Sequence, residues 1–191
     1  IPVGFAYDSY ITQKDADAKK TAQREKLMLK SLVLTNKQAE KYSDILNEYD
    51  PTAHSALTTE SYKSFCREKQ ENSSSSFSYD SHGFKSEITL DKPQLVFFSV
   101  PYSDGWSATV NGKSVDVEKV NYGFMAVEAG SGENEIVFTY ETPGLKVGTI
   151  ISIAGALMLS VYIALAYIFR KNDEPRHTHY YDYVSTHKIS A

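Results

Sequence analysis

This chain has a single cysteine, Cys66, so it cannot close an internal disulfide, and its 191 residues must fold without covalent staples. That argues against a disulfide-rich ectodomain of the animal kind and leaves other compartments open. Alone, Cys66 reads as an inert, half-buried thiol rather than a nucleophile. Positive charge is also short. The formal net charge is −4, and no basic face is available to neutralise phosphates, which excludes nucleic acid as a partner. His177, His179 and His187 gather in one tail without an accompanying cysteine, so no metal site is expected there. Gly112, Gly123, Gly130 and Gly132 do not form a phosphate-cradling loop and read as turn residues. The chain opens IPVGFAYDSY, with no initiator methionine and no basic stretch leading into an apolar run. The expectation is that an upstream part carries residues 1–146 across a membrane, which makes this the C-terminal piece of a longer polytopic protein.

What the chain does have is one long apolar run. Val147 to Phe169, 23 residues, carries no formal charge. At about 1.5 Å per residue a helix over it spans roughly 34 Å, enough for a hydrocarbon core of about 30 Å. A buried helix of a soluble protein is the alternative, but such helices seldom run this long without a polar face. Pro143 and Gly144 break the preceding pattern, and Tyr162, Tyr167 and Phe169 suit the far interface. Arg170, Lys171 and Arg176 follow the run, whereas Lys146 is the one basic residue just before it. The positive-inside rule then predicts an external N-terminal part and a cytoplasmic tail.

The pattern before the span divides in two. Residues 1–12 are aromatic-rich and read as extended. Asp15 to Val33 favours a helix, capped at Asp15 or Thr21, and 37–49 reads as a second helix with Ala39, Tyr42, Ile45, Leu46 and Tyr49 at three-to-four spacing, stopped by Pro51. Residues 52–76 are polar and end in four serines, a loop or linker with room for a short helix around 61–68. From Phe77 the period becomes two. Asn111-Gly112 between alternating runs predicts a two-residue hairpin turn, and five or six short strands between Phe77 and Thr142 predict an antiparallel sandwich. The expected fold is an α+β ectodomain with a small antiparallel β-sandwich, followed by one transmembrane α-helix. Its segments are an extracellular extended-then-helical part (1–50), a polar linker (51–76), an extracellular β-sandwich (77–142), the span (147–169) and a cytoplasmic tail (170–191).

FSYDSHGF at 77–84, LVFFSVPYSDGWSATVNGK at 95–113 and VNYGFMAVEAGSGENEIVFTYETPGLKVG at 120–148 closely resemble the C-terminal end of the YfhO family of bacterial membrane proteins. IPVGFAYDSY and the Tyr-rich RHTHYYDY are also similar to that family, so the resemblance covers nearly the whole chain. It implies a polytopic protein of Gram-positive bacteria that resembles lipid-phosphosugar-dependent glycosyltransferases of the GT-C type. Such a protein would move sugar from a polyprenyl-phosphate donor to a cell-envelope polymer such as lipoteichoic acid. The catalytic acid of such enzymes lies near the first transmembrane helices, so no catalytic residue and no cofactor of its own is expected in this chain. The implied partners are the lipid bilayer, the transmembrane part upstream and a cell-envelope glycopolymer. The competing function is a non-enzymatic, membrane-anchored β domain that binds carbohydrate or protein.

One stretch is the candidate ligand surface. Tyr102, Asp104 and Trp106, with Tyr122, offer rings for stacking on a pyranose and a carboxylate for its hydroxyls. The opposing reading makes Trp106 an anchor of the sandwich core and Asp104-Gly105 a turn, with Tyr122 to Phe124 packing beside it. The scattered carboxylates Asp8, Asp80, Asp91, Asp116 and Glu118 show no spacing that selects an acid–base pair, and Asp116 and Glu118 are expected on one solvated strand face.

Overall fold

The aromatic opening folds as two strands, β1 (Gly4–Tyr7) and β2 (Ser9–Thr12), in a computed structural model that describes residues 3–50 and 59–172. Helix α1 (Gln13–Asp17) begins at Thr12, whose hydroxyl accepts the Asp15 amide at 3.2 Å. The predicted helix over 15–33 breaks after Asp17 and resumes as α2 (Thr21–Lys30), with neither Asp15 nor Thr21 as its cap. It ends early because Leu32-Val33-Leu34 form a strand, β3 (Leu32–Leu34), parallel to β2. The reason is two-sided burial: Leu32 and Leu34 pack toward one layer, while Val33 packs with Ile11, Ala16 and Leu27 toward the other. A capping box of Thr35 and Gln38 starts α3 (Asn36–Lys41), which stops well short of Tyr49. Tyr42 and Leu46 are buried from the turns that follow it, and β4 (Asn47–Glu48) pairs parallel to β2. The three-to-four spacing thus reflects one-sided packing beyond the helix end. Pro51, read as its stop, lies outside the described residues.

The polar stretch is not a bare linker. It contains α4 (Thr59–Glu71). Its closing serines are bonded into the fold: the Ser74 amide donates to Gly4 O at 3.0 Å, Ser75 N to Glu87 O at 2.8 Å, and Ser86 Oγ to Ser74 Oγ at 2.7 Å.

The antiparallel strands are β5 (Ser76–Tyr79), β6 (Gly83–Leu90), β7 (Gln94–Pro101), β8 (Trp106–Val110), β9 (Lys113–Val115), β10 (Glu118–Val120), β11 (Phe124–Ala129) and β12 (Gly132–Tyr140). They make a five-stranded sheet, β5-β6-β12-β8-β9, facing a four-stranded one, β1-β7-β11-β10. The fold is therefore the expected α+β unit with an antiparallel sandwich, and β1 from the chain's opening completes one of its sheets. Between the sheets lie Ile88, Val96, Phe98, Met125, Ile136 and Phe138. The other face of the four-stranded sheet packs Phe5, Tyr7, Leu95 and Phe97 against Tyr10, Leu32, Leu34 and Tyr42 of the parallel layer. This explains the unbroken run Leu95 to Phe98. A strand buried on both faces needs apolar residues at consecutive positions, each worth about 1.5–3 kcal/mol of burial. Asn111 (φ 51°) and Gly112 (φ 76°) form the two-residue turn between β8 and β9. The Asn111 side chain anchors that turn by accepting the Glu135 amide at 2.8 Å.

The second unit begins at Gly144 and consists of α5 (Leu145–Asn172) in its described part. Its apolar window has a mean hydropathy of 2.2 and none of it is buried, so α5 is long and apolar enough to cross a membrane. The hydroxyls of Thr149, Ser152 and Ser160 donate to the carbonyls of Leu145, Gly148 and Ala156 at 2.8–2.9 Å, which satisfies these three donors within the helix itself. Arg176 and the three tail histidines lie outside the described residues.

Candidate functional site

One end of the sandwich is assembled from three loops, two of them clamped to the chain at the end of β12. The Tyr140 amide donates to His82 O at 2.7 Å, and Glu141 N donates to Gly105 O at 2.9 Å. Both approaches require glycine. A Cβ on Gly83 would stand 1.9 Å from Phe138 O, and one on Gly105 would stand 2.3 Å from Glu141 O. Asp80 closes the β5–β6 turn by accepting the amides of His82 and Gly83 at 2.7 and 2.9 Å. The Tyr102 amide donates to Gly123 O at 2.8 Å, which brings the β10–β11 turn to the same end. Tyr102, Asp104, Trp106 and Tyr122 therefore share one end of the sandwich, but their side chains do not share one face.

Tyr102 and Asp104 do meet. Burial, then the charge and hydrogen bond of Asp104, push the Tyr102 hydroxyl above its ordinary pKa, and Lys119 Nζ lies 6.0 Å from the ring centre. Trp106 is half-buried at the rim of the core. Its ring stands edge-on to Phe84 (5.6 Å) and Phe138 (6.2 Å) and tilts on Tyr140 at 4.9 Å. Tyr122 turns instead to α1 and α2. Its hydroxyl donates to Asp17 Oδ1 at 2.7 Å, and Arg24, paired with Asp17 at 3.2 Å, lies 5.4 Å from its ring centre. Its backbone sits at φ 67°, a region a tyrosine rarely adopts. Buried Asn121 holds it there, accepting the Val33 amide at 2.7 Å and donating its own amide to Val33 O at 3.1 Å. The packing of Tyr122 beside Trp106 read from the sequence is thus absent.

Two charged clusters were not legible in the sequence. Glu118, expected on a solvated face, has a side chain only 15% exposed and accepts from Gln38 Nε2 (2.7 Å), Lys41 Nζ (2.8 Å) and Tyr42 OH (2.8 Å). Burial pushes its carboxyl up, but these bonds and the Lys41 charge outweigh it and hold the group below its ordinary value. Asp116, 81% exposed, shares Lys41 at 2.9 Å beside a cavity of about 560 Å³. The second cluster surrounds Lys69, 2% exposed, whose Nζ donates to Ala6 O at 3.1 Å and lies 3.9 Å from the Tyr7 ring centre. Burial pulls its pKa down to about 8. Beside it Asp8 Oδ1 is buried without a hydrogen-bond partner, at a cavity of about 360 Å³. Neither residue carries a local signal, since each partner lies tens of residues away. Glu118, saturated by three donors, is poorly suited to proton transfer near neutrality, whereas Lys69 titrates close to it. Among the described residues, no three His, Cys, Asp or Glu side chains are placed to hold a metal.

Comparison with known proteins places these features in a family. The family model described as "Bacterial membrane protein YfhO" matches residues 46–152. A Bacillus subtilis (strain 168) protein described as "Uncharacterized protein YfhO" is 38% identical over 74 residues, 39% of this chain and 9% of that relative's length. No solved structure matches the chain.

Proposed function

The chain belongs to the YfhO family of bacterial membrane proteins, and from that membership we propose that it is the accessory ectodomain and last membrane span of a polytopic glycosyltransferase. The whole protein would transfer sugar from a polyprenyl-phosphate donor to a cell-envelope polymer such as lipoteichoic acid. What carries the reading is the direct continuation of the β unit into α5, with only residues 141–144 between β12 and the span. The sugar-transfer part rests on the resemblance of the sequence to that class of enzyme, whose catalytic acid lies elsewhere in the protein. In this reading residues 1–146 face outside and the tail faces the cytoplasm, in keeping with Arg170 and Lys171 at the far end of α5. Polymer contact runs over the loop of Tyr102 and Asp104, with the exposed edge of Trp106. Tyr122 has the weakest case for a ligand, because its hydroxyl and ring are already engaged.

Two measurements test this. In intact cells, with Cys66→Ser as background, a membrane-impermeant maleimide should label Ser131→Cys and not Ser185→Cys. The reverse pattern overturns the orientation. Membranes with the full-length protein should move labelled sugar from polyprenyl phosphate to polymer, and Asp104→Asn or Asp116→Asn should lower the rate less than about tenfold, against the 10²–10⁴-fold typical of a lost acid or base. Abolished transfer in either folded variant sinks the accessory role. Transfer unchanged when the full-length protein is deleted favours the non-enzymatic binding reading.

A further inference from the structure

The cavity beside Lys69 lies where β1 turns into β2 and β6 turns into β7. Its volume is about 360 Å³, and Asp8, Lys69, Asn72, Asp91, Lys92 and Gln94 supply most of its polar lining. Lys69 reaches it from the last turn of α4. Its ammonium answers an edge carbonyl of β1, Ala6 O, and lies over the Tyr7 ring. An ammonium has three donors, so one carbonyl and one ring do not exhaust it. Asp8 Oδ1, enclosed in the same lining, has no hydrogen-bond partner among the described residues and so does not bond to Lys69. A carboxylate oxygen shut away without a donor is costly. Its charge is nevertheless felt at Lys69, where it favours the protonated amine.

The balance of charge decides what suits the space between them. Glu68, next to Lys69 in α4, is engaged with Lys30 at 3.1 Å. That leaves Asp8 and Asp91 against Lys69 and Lys92, two groups of each sign. An anion meets the carboxylates there and a cation meets the amines, so neither is favoured. Asn72 Nδ2 donates to Glu68 O at 3.2 Å and Gln94 Nε2 to Tyr7 O at 3.3 Å, which leaves their amide oxygens as acceptors. A hydroxyl both donates and accepts. Two adjacent hydroxyls can therefore give a proton to Asp8 and take one from Lys69 without burying a new charge. The volume also fits a molecule larger than a water, whose share is about 30 Å³, since small-molecule sites start at about 300 Å³.

We propose that this cavity is a binding site for a neutral polyhydroxylated ligand, a single sugar unit whose vicinal diol bridges Asp8 and Lys69. It is distinct from the Tyr102–Asp104 loop. Gln94 opens β7 and Tyr102 follows its end, roughly 24 Å away along the strand. The proposal does not rest on sugar transfer or on polymer contact at that loop, so either reading can fail alone.

The test follows the side-chain amide signals of Asn72 and Gln94 by NMR in the full chain, nitrogen-15 labelled, in detergent micelles. D-glucose, D-galactose and N-acetyl-D-glucosamine, whose diols differ in orientation, are added separately. At least one should move both signals and saturate in the millimolar range, and Asp8→Asn should weaken that binding about tenfold. If Asp8→Asn changes the spectrum outside the cavity, Lys92→Ala on the exposed β6–β7 turn takes its place, with an expected weakening of about threefold. Signals unmoved by all three sugars overturn the proposal, and so does a response that the variant leaves unchanged. A response to glycine or inorganic phosphate but to no sugar overturns it too, because the ligand is then charged. Shifts confined to the backbone amides of Tyr102, Asp104 and Trp106 overturn this site and leave the loop reading standing.

Discussion

Gly105 and Glu141 hold each other through one backbone bond, Glu141 N to Gly105 O at 2.9 Å, at a separation that admits no side chain on Gly105. A Cβ there would lie 2.3 Å from a carbonyl oxygen and 2.7 Å from the Tyr140 ring. Gly105→Ala must displace the backbone of β12's last residues or the loop. A loss of about 1–3 kcal/mol is expected, the usual cost of overpacking, read as a lower midpoint in urea unfolding of residues 1–143. An unchanged midpoint would mean that the loop is not clamped.

Gly112 gives a contrasting case. No atom lies within 4 Å of a Cβ built there, but its φ is +76°. Gly112→Val meets no clash and acts only through backbone strain, at a cost of about 1–2 kcal/mol. Gly112→Asn should recover most of that loss, because asparagine tolerates left-handed backbone. Thermal melts of the three proteins check the order Gly, Asn, Val.

Lys69 makes stability rise in mild alkali. Its folded pKa of about 8 lies below the ordinary 10.5. Below about pH 8 both states are protonated and the fold carries the whole cost of the buried charge. Between the two values the unfolded chain holds more protons, so stability increases with pH by about 2 kcal/mol from pH 7.5 to 10. Tyr7, raised by burial, titrates in the opposite sense at higher pH, so the measurement is the difference between the parent and Lys69→Met. That difference should shrink as pH rises. A difference that stays flat refutes the burial of a charged Lys69.

Glu118 acts at the other end of the scale. Its carboxyl is depressed in the fold, so its contribution is full above the unfolded pKa and is lost as pH falls through the folded value. Glu118→Ala leaves Tyr42 OH without its acceptor and Gln38 Nε2 with only the Lys119 carbonyl, and should cost about 1–3 kcal/mol at pH 7. At a pH below the ordinary carboxylate value of 4.5 and falling through the depressed folded value, the parent loses the advantage of the charge, and the gap between the two proteins should narrow. Denaturant titrations at the two pH values decide this.

By itself the sequence determined whatever depends on near neighbours. The uncharged run at 147–169, the Asn111-Gly112 turn and the period-two strands after Phe77 follow from backbone sterics and hydrophobic spacing within a few residues. Membership of the family was also readable in the motifs at 95–148. Tertiary structure alone decided the rest. Leu32 to Leu34 looked like the end of a helix, but their parallel pairing with Tyr10 to Thr12 bridges a separation of 22 residues. Phe5 pairs with Phe97, so the opening segment completes a sheet whose other strands lie far along the chain. The same holds for the candidate site: the sequence offered Tyr102, Asp104, Trp106 and Tyr122 as one ligand surface, with Trp106 as a core anchor in the opposing reading, whereas only long-range packing sends Tyr122 to Asp17 and Trp106 to Phe84. Helix and hairpin signals act locally, but burial on two faces and charge pairing across a sheet depend on which distant segments become neighbours, and the free energy of those contacts is settled only when the whole core closes.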